Sequence, residues 1–152
     1  GGVSVGEADC LGQVLRENGE VSLWKLAIKP GKPFTLGSFA NTPVLGLPGN
    51  PAATLVTFLL LVRPYLLTRL GCTTVEPTTF ALPAGFDWQR PGSRDEYLRA
   101  DFVDGRILLA GNQSSGVLSS ASKANGLVLI PAGSTVNQGE TLSFLPFTGL
   151  FD

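Results

Sequence analysis

The chain has 152 residues, of which 43% are hydrophobic and 15% charged, a balance typical of a globular protein rather than a disordered one. Its net charge of −1 argues against nucleic-acid binding, which usually needs a basic excess, and the absence of histidine excludes a histidine-based triad or a histidine-ligated metal. The two cysteines, Cys10 and Cys72, fit neither a disulfide framework nor a zinc spacing, so we expect a cytoplasmic protein.

The N-terminal half predicts alternating helices and strands, which is an α/β pattern. Residues 1–6 are glycine-rich and form a predicted loop whose backbone amides could hold an anion. Apolar residues with helical spacing predict a helix over Glu7–Asn18, which Gly19 would end. The strands predicted next cover residues 21–28, 34–39 and 44–47, with a turn at 41–43 between the last two.

A short loop at residues 46–51 leads into the longest apolar run of the chain. Asn50 is a favourable N-cap, and Pro51 fits the first helical position, where its missing N–H costs nothing. Gly46 and Gly49 allow the sharp turn that precedes them. The free amides and the positive dipole of such a helix start attract anions.

The helix predicted over Pro51–Leu70 is apolar almost all round, so we expect it to be buried in the core. Arg63 and Pro64 interrupt its apolar run well before the ~20 residues that a membrane span needs, and we therefore predict no membrane segment. Pro64 should kink the helix or divide it in two.

The C-terminal half predicts short strands with turn residues between them, consistent with a small β-barrel or sandwich. Asp104-Gly105 is a strong hairpin signal. A short helix is predicted at 115–124, and the boundary between the two halves is predicted near 72–77. The predicted strands cover residues 95–103, 106–110, 127–130 and 140–145.

Three lysines, Lys25, Lys29 and Lys32, are the strongest candidates for anion binding. On one strand Lys25 and Lys29 would share a face, and Lys32 lies in a loop that Pro30 and Pro33 would hold in shape. The alternative is that all three are ordinary surface lysines.

Two further groups carry open alternatives. Asp9, on the first turn of the predicted helix, either interacts favourably with the helix dipole or holds Mg²⁺ beside a bound phosphate. The charged segment 94–99 is predicted to be a solvated strand face, and the serines at 114–122 are predicted to cap or pack a helix.

Three motifs, in this order and spacing, resemble the MoeA family of molybdopterin molybdenumtransferases, which is also similar to the gephyrin E domain. They are Gly-Gly-Val-Ser-Val-Gly-x-x-Asp at 1–9, Trp-Lys-x-x-x-Lys-Pro-Gly-Lys-Pro-Phe at 24–34 and Gly-Leu-Pro-Gly-Asn-Pro at 46–51. The resemblance implies a partial three-layer molybdopterin-binding (MogA/MoaB-like) α/β domain over 1–74, followed by a small all-β, barrel-like domain over 75–152.

The resemblance implies an enzyme that inserts molybdenum from molybdate into adenylylated molybdopterin and releases AMP, with Mg²⁺ as the divalent cation. The implied catalytic residues are Asp9, which is also the implied metal ligand, Lys25, Lys29 and Lys32. The implied binding residues are Gly1, Gly2, Ser4, Gly6, Pro48, Gly49, Asn50, Pro51, Arg99 and Ser115.

The resemblance also implies a homodimer and contacts with molybdopterin adenylyltransferase or with molybdoenzymes. Because the family's chains are longer, we expect this chain to be a C-terminal fragment that is inactive alone. The alternative function is a gephyrin-type scaffold that binds a peptide without catalysis, which an exposed groove lined by Phe80, Phe86, Leu98 and Phe102 would favour. Convergence of Asp9, Lys29 and Lys32 would favour the enzyme.

Overall fold

The computed structural model describes residues 10–111, 113 and 124–149. Its first half begins with helix α1 (Cys10–Asn18), followed by three strands that form an antiparallel sheet in the order β1-β3-β4. A separate two-residue strand, β2, pairs elsewhere. The strands are β1 (Gly19–Lys25), β2 (Ile28–Lys29), β3 (Pro33–Phe39) and β4 (Thr42–Gly46).

The single strand predicted over 21–28 is therefore wrong at its C-terminal end. The chain leaves the first sheet after Lys25, and Ile28–Lys29 joins the sheet of the second half. Lys25 and Lys29 consequently do not share a face of one strand.

The turn between β3 and β4 lies at Ala40 and Asn41, whose φ angles are 47° and 61°. Two successive positive φ angles are typical of the type I′ turn that fits the twist of a hairpin. The predicted turn at 41–43 is thus placed slightly too late, because Thr42 and Pro43 already belong to β4. Since β4 is an edge strand of its sheet, it tolerates the proline.

The apolar helix begins and divides as the sequence predicts. Asn50 Oδ1 accepts a hydrogen bond from Ala53 N–H at 3.1 Å, and Pro51 occupies the first turn. The N–H of Arg63 bonds five residues back to Phe58 O, which marks a π-helical turn directly before Pro64. A proline cannot continue the regular ladder, so the π turn separates two α-helical segments. These segments are α2 (Pro51–Thr57) and α3 (Arg63–Arg69), with the π turn at Phe58–Val62.

The second half forms one sheet in the order β2-β6-β8-β9-β5, with β7 paired to β6. Asp104 and Gly105, at φ 49° and 77°, make the predicted hairpin turn. An isolated bridge between Ala84 and Ile107 brings the chain after β5 close to β7, but within the described ranges the sheet is not closed into a barrel. The helix predicted at 115–124 falls mainly outside the described residues. The strands are β5 (Phe80–Pro83), β6 (Asp95–Val103), β7 (Arg106–Leu109), β8 (Gly126–Ile130) and β9 (Thr141–Pro146).

Among the described residues, buried apolar side chains form two clusters. The first lies within the second half and centres on Ala100, Ile107 and Val128, all at 0% exposure. The second joins the halves, because Val56 and Leu59 of the long helix pack against residues of β8 and β9; we call it the interdomain core (Val56, Leu59, Leu127, Leu145). Chain connectivity, the β2–β6 pairing and this core therefore all link the two halves.

The 19-residue helix Pro51–Arg69 is long and apolar enough to cross a membrane by length and composition alone. A core helix passes the same test, and Val56 and Leu59 are buried at 2% and 0% exposure in the interdomain core. The first part of the helix therefore lies in the core as predicted, whereas α3 has no buried residue and Leu66 is 44% exposed, so the prediction of a fully buried helix is wrong for its second part.

Replacing Asn50 tests the helix start. Asn50→Ala removes the side-chain acceptor of the Ala53 N–H while leaving the backbone free to keep its course, and we expect a loss of about 1 kcal/mol in the free energy of unfolding. Asn50→Ser is the matched control, since its hydroxyl oxygen restores an acceptor. Urea denaturation measures both, and equal midpoints for the two variants would contradict the capping role.

The predicted domain boundary at residues 74/75 lies in an exposed segment, since residues 70–74 and Glu76 are all exposed. We expect limited subtilisin digestion to cut first between Leu70 and Pro83. The two pieces should still co-elute on size exclusion, because the interdomain core and the β2–β6 pairing hold them together. A first cut inside Pro51–Arg69 would contradict the boundary, and separation of the pieces would contradict the shared core.

Candidate functional site

A cavity of about 570 Å³ lies where the two halves meet. We call the segment 26–32 the lysine loop, and its residues 29–32 form one wall of the cavity. The other walls are the start of α2 and four consecutive residues of β6, 96–99. Its polar lining consists of Lys29, Lys32, Asn50, Arg94, Glu96, Arg99 and Gln113, and its aromatic lining of Trp88 and Tyr97.

Local contacts close the lysine loop and place it on the long helix. Leu26 N–H donates to Lys32 O at 2.7 Å, which brings the two ends of the loop together. At its tip Gly31 has φ 118°, and a Cβ there would lie 2.6 Å from Thr57 Oγ1. Only glycine combines this backbone conformation with so close an approach, so Gly31 lets the loop rest on α2.

The start of β6 holds the other side of the lysine loop. Asp95 N–H donates to Ala27 O at 3.0 Å, and Arg94 Nη1 donates to Ile28 O at 3.0 Å. The backbones of β2 and β6 are parallel partners at this point. The loop therefore takes its position from residues that lie more than sixty positions later in the chain.

Lys29 forms a salt bridge with Glu96. The distance from Lys29 Nζ to Glu96 Oε2 is 3.1 Å, and the exposed fractions of the two side chains are 55% and 5%. The carboxylate is thus buried beneath an ammonium group that faces the cavity. Because one of the three ammonium hydrogens is engaged, two remain for a ligand.

Arg99 is only 5% exposed, and its pKa is lowered by burial. Arginine nevertheless stays protonated in proteins, so it brings a permanent positive charge to the cavity. Gln113 fixes the backbone around it: Arg99 N–H donates to Gln113 Oε1 at 3.0 Å, and Gln113 Nε2 donates to Arg99 O at 2.9 Å.

Tyr97 adds a neutral donor to the lining. Burial raises the pKa of its phenol, and the nearby Asp95 carboxylate raises it further. Because the ordinary phenol pKa is already near 10, the hydroxyl stays protonated at neutral pH.

Charge is concentrated in this cavity. Lys29, Lys32, Arg94 and Arg99 face one carboxylate, Glu96, whereas the whole chain has a net charge of −1. A small anion with several oxygen acceptors fits such a lining, since cationic donors form the strongest hydrogen bonds to oxyanions.

Four of the predicted site residues line this cavity together: Lys29, Lys32, Asn50 and Arg99. The neighbours Pro48, Gly49 and Pro51 shape the helix start without lining the cavity, and Lys25, at the end of β1, does not line it either. Their roles stay predictions. The predicted residues Gly1, Gly2, Ser4, Gly6, Asp9 and Ser115 lie outside the described residues.

Sequence reasoning missed Glu96, Arg94, Gln113 and the two aromatic residues. The prediction that 94–99 is a solvated face is wrong for Glu96 and Arg99, which are 4% and 5% exposed. A signal was present for Glu96, because the period of two puts it on the same face of β6 as the buried Leu98 and Ala100.

The groove that would favour a scaffold is not formed as predicted. Leu98 is buried, and Phe86 packs against the core of the second half, whereas Phe80 and Phe102 are 52% and 44% exposed. The four residues therefore do not line one exposed groove.

The described residues contain no preformed cluster of acidic ligands for Mg²⁺. They contain no group of three acidic or cysteine side chains that could hold a metal, and the one carboxylate of the cavity is paired with Lys29. Any carboxylate ligand from Asp9 lies outside the described residues.

Two family models match the chain. A model described as a probable molybdopterin-binding domain matches residues 1–68, and one described as the MoeA C-terminal region (domain IV) matches residues 81–147. Together the two matches cover most of the sequence.

Named relatives agree with these models. A molybdopterin molybdenumtransferase from Haemophilus influenzae is 39% identical over 157 residues, covering 99% of this chain and 39% of the relative. A putative molybdopterin biosynthesis protein from Methanocaldococcus jannaschii is 34% identical, covering 86% of this chain and 31% of the relative. This chain therefore spans less than half the length of these relatives.

A solved structure has the same fold. The molybdopterin biosynthesis MoeA protein from Pyrococcus horikosii superposes with a TM-score of 0.77 at 31% identity, covering 93% of this chain and 36% of that one. Fold, family models and relatives agree, and the chain belongs to the MoeA family.

Proposed function

We propose that this chain supplies the oxyanion-binding part of the active site of a molybdopterin molybdenumtransferase. The reaction inserts molybdenum from molybdate into adenylylated molybdopterin and releases AMP. The main observation behind the proposal is that one cavity is lined by Lys29 and Lys32 from the first half of the chain and by Arg99 from the second. The names of the relatives support the transfer of molybdenum to molybdopterin, and the adenylylated substrate and AMP release are what the family resemblance implies.

Molybdate suits this lining because it is a tetrahedral dianion with four acceptor oxygens. Two lysines and a buried arginine supply ionised donors from different directions, and charge-assisted hydrogen bonds are roughly twice as strong as neutral ones. The proposed task of these residues is to bind the anion and hold it against the organic substrate, which lowers the entropic cost of their reaction.

The size of the cavity suits a ligand larger than molybdate alone. About 570 Å³ falls within the usual range of small-molecule sites, and Trp88 and Tyr97 give it an aromatic wall. The phosphates of the adenylylated substrate would compete for the same cationic donors. We therefore propose that the cavity holds the reacting end of the substrate beside molybdate.

The other expectations about the whole protein are part of this proposal. They are a domain boundary at residues 74/75, a homodimer, a cytoplasmic location, a Mg²⁺ requirement that depends on Asp9, and contacts with molybdopterin adenylyltransferase or molybdoenzymes. The relatives are two to three times as long as this chain, which supports the expectation that the complete reaction uses further domains.

Removing both cavity lysines tests the proposal directly. Lys29→Ala combined with Lys32→Ala removes two of the four cations of the cavity, and we expect molybdate binding by this chain to weaken at least about tenfold, a change of about 1.4 kcal/mol. Isothermal titration calorimetry measures the affinity. Arg106→Ala is the control, because it removes a cation from an exposed position on β7. Unchanged binding in the double variant, or an equal loss in the control, would contradict the proposed site.

Asp9→Asn tests the role of the carboxylate. The change keeps the size and the capping ability of the side chain but removes its affinity for a hard cation. In a chimaera in which this chain replaces the matching part of the Haemophilus influenzae relative, we expect Mg²⁺-dependent AMP release to fall at least about tenfold. Asp104→Asn, at the exposed β6–β7 turn, is the control. If Asp9→Asn turns over fully at saturating Mg²⁺, Asp9 is not needed for the cation, and its role is limited to the interaction with the helix dipole.

A further inference from the structure

We propose that Glu96 is a positioning residue for oxyanion binding, and that Glu96 and Lys29 act as one electrostatic unit. Glu96 holds the ammonium group of Lys29 at the cavity wall, and Lys29 in turn neutralises a buried carboxylate that would otherwise repel the anion. This inference rests on the proposed oxyanion binding of the cavity and adds a residue that no sequence motif indicated.

The first support is the geometry of the pair. Lys29 Nζ lies 3.1 Å from Glu96 Oε2, and both residues line the cavity. The carboxylate side chain is 5% exposed, whereas that of the lysine is 55% exposed. The ammonium group is therefore the accessible member of the pair, and the carboxylate acts from behind it.

The second support is that the backbone sets this pairing. Lys29 and Glu96 are Cα partners in the parallel β2–β6 register. Adjacent hydrogen bonds from Asp95 N–H to Ala27 O and from Arg94 Nη1 to Ile28 O fix the same register. The two side chains are thus brought together by the fold and not by a chance surface encounter.

The third support is the packing around the carboxylate. A Cβ at position 92 would clash with Glu96 Oε1. The glycine therefore leaves the space that this oxygen occupies, and the carboxylate is held between the loop at Gly92 on one side and Lys29 on the other.

These contacts lead to an electrostatic consequence with a definite sign. A buried carboxylate whose cation is removed is costly and repels a neighbouring anion. Removing Lys29 alone should therefore weaken anion binding for two reasons. The attraction between Lys29 and the anion is lost, and the negative charge of Glu96 is no longer compensated. Removing Glu96 as well should relieve the second effect. If Glu96 were only a structural tie to Lys29, that tie would already be lost in the Lys29 variant, and removing Glu96 as well would bring no such relief.

The test is a double-mutant cycle on molybdate binding by this chain, measured by calorimetry. Lys29→Met should weaken binding at least about tenfold. Adding Glu96→Gln to Lys29→Met should strengthen binding again by at least about threefold relative to Lys29→Met, because the double variant no longer carries the uncompensated charge. Asp104→Asn, which removes an exposed carboxylate from the β6–β7 turn, is the control and should leave binding unchanged. Urea midpoints confirm that each variant is folded.

A second comparison covers the case in which Lys29→Met does not fold. Glu96→Asp keeps the charge but withdraws the carboxylate from Nζ, whereas Glu96→Gln keeps the reach and removes the charge. The proposal expects Glu96→Asp to weaken molybdate binding more than Glu96→Gln does.

The outcomes separate two failures. If the unaltered chain does not bind molybdate, the proposed function is wrong, and the role of Glu96 in oxyanion binding is wrong with it. If the unaltered chain binds but Glu96→Gln fails to rescue Lys29→Met, or Glu96→Asp binds as well as Glu96→Gln, the pairing inference is overturned while the oxyanion site stands.

Discussion

The cavity depends on the short parallel pairing between β2 and β6. The lysine loop belongs to the first half of the chain and Arg99 to the second, so neither half alone provides the cationic lining. Arg94 and the first two residues of β6 contact three successive residues of the loop, through an arginine hydrogen bond, a backbone hydrogen bond and a salt bridge. A shift of this register would move all three contacts at once.

The apolar helix α2 packs against the lysine loop and so supports the β2–β6 pairing. Gly31 lets the lysine loop approach Thr57 closely, and Thr57 Oγ1 is already bonded to Ala53 O within the helix. The same helix is fixed to β8 and β9 through the interdomain core. The cavity wall is therefore held in place by a packed hydrophobic cluster beside it, and the most apolar part of the sequence directly follows the loop at 46–51.

Local features were predictable and distant pairings were not. Asn50 and Pro51 mark the helix start, and Asp104-Gly105 the hairpin, because capping and turn geometry depend on neighbouring residues alone. The departure of the chain from the first sheet after Lys25 depends on a partner 67 residues further on and leaves no local signal. Glu96 is a different case: its alternation with Leu98 and Ala100 was visible in the sequence, but the many charged residues of the segment 94–99 favoured a solvated face.

The net charge of the chain argues against polyanionic ligands but not against a small oxyanion, because the two need different arrangements of cations. A polyanion needs a broad basic surface, which a chain of net charge −1 does not provide. A small oxyanion needs only a few donors within hydrogen-bonding distance, and attraction is stronger in a partly enclosed site than in open water. Four cations gathered without any anion would repel one another, and the buried carboxylate of Glu96 offsets part of that repulsion before a ligand arrives. In the site that we propose, the same carboxylate also has to stay covered by Lys29 when an anion is bound, so that the empty and the occupied site both depend on one ion pair.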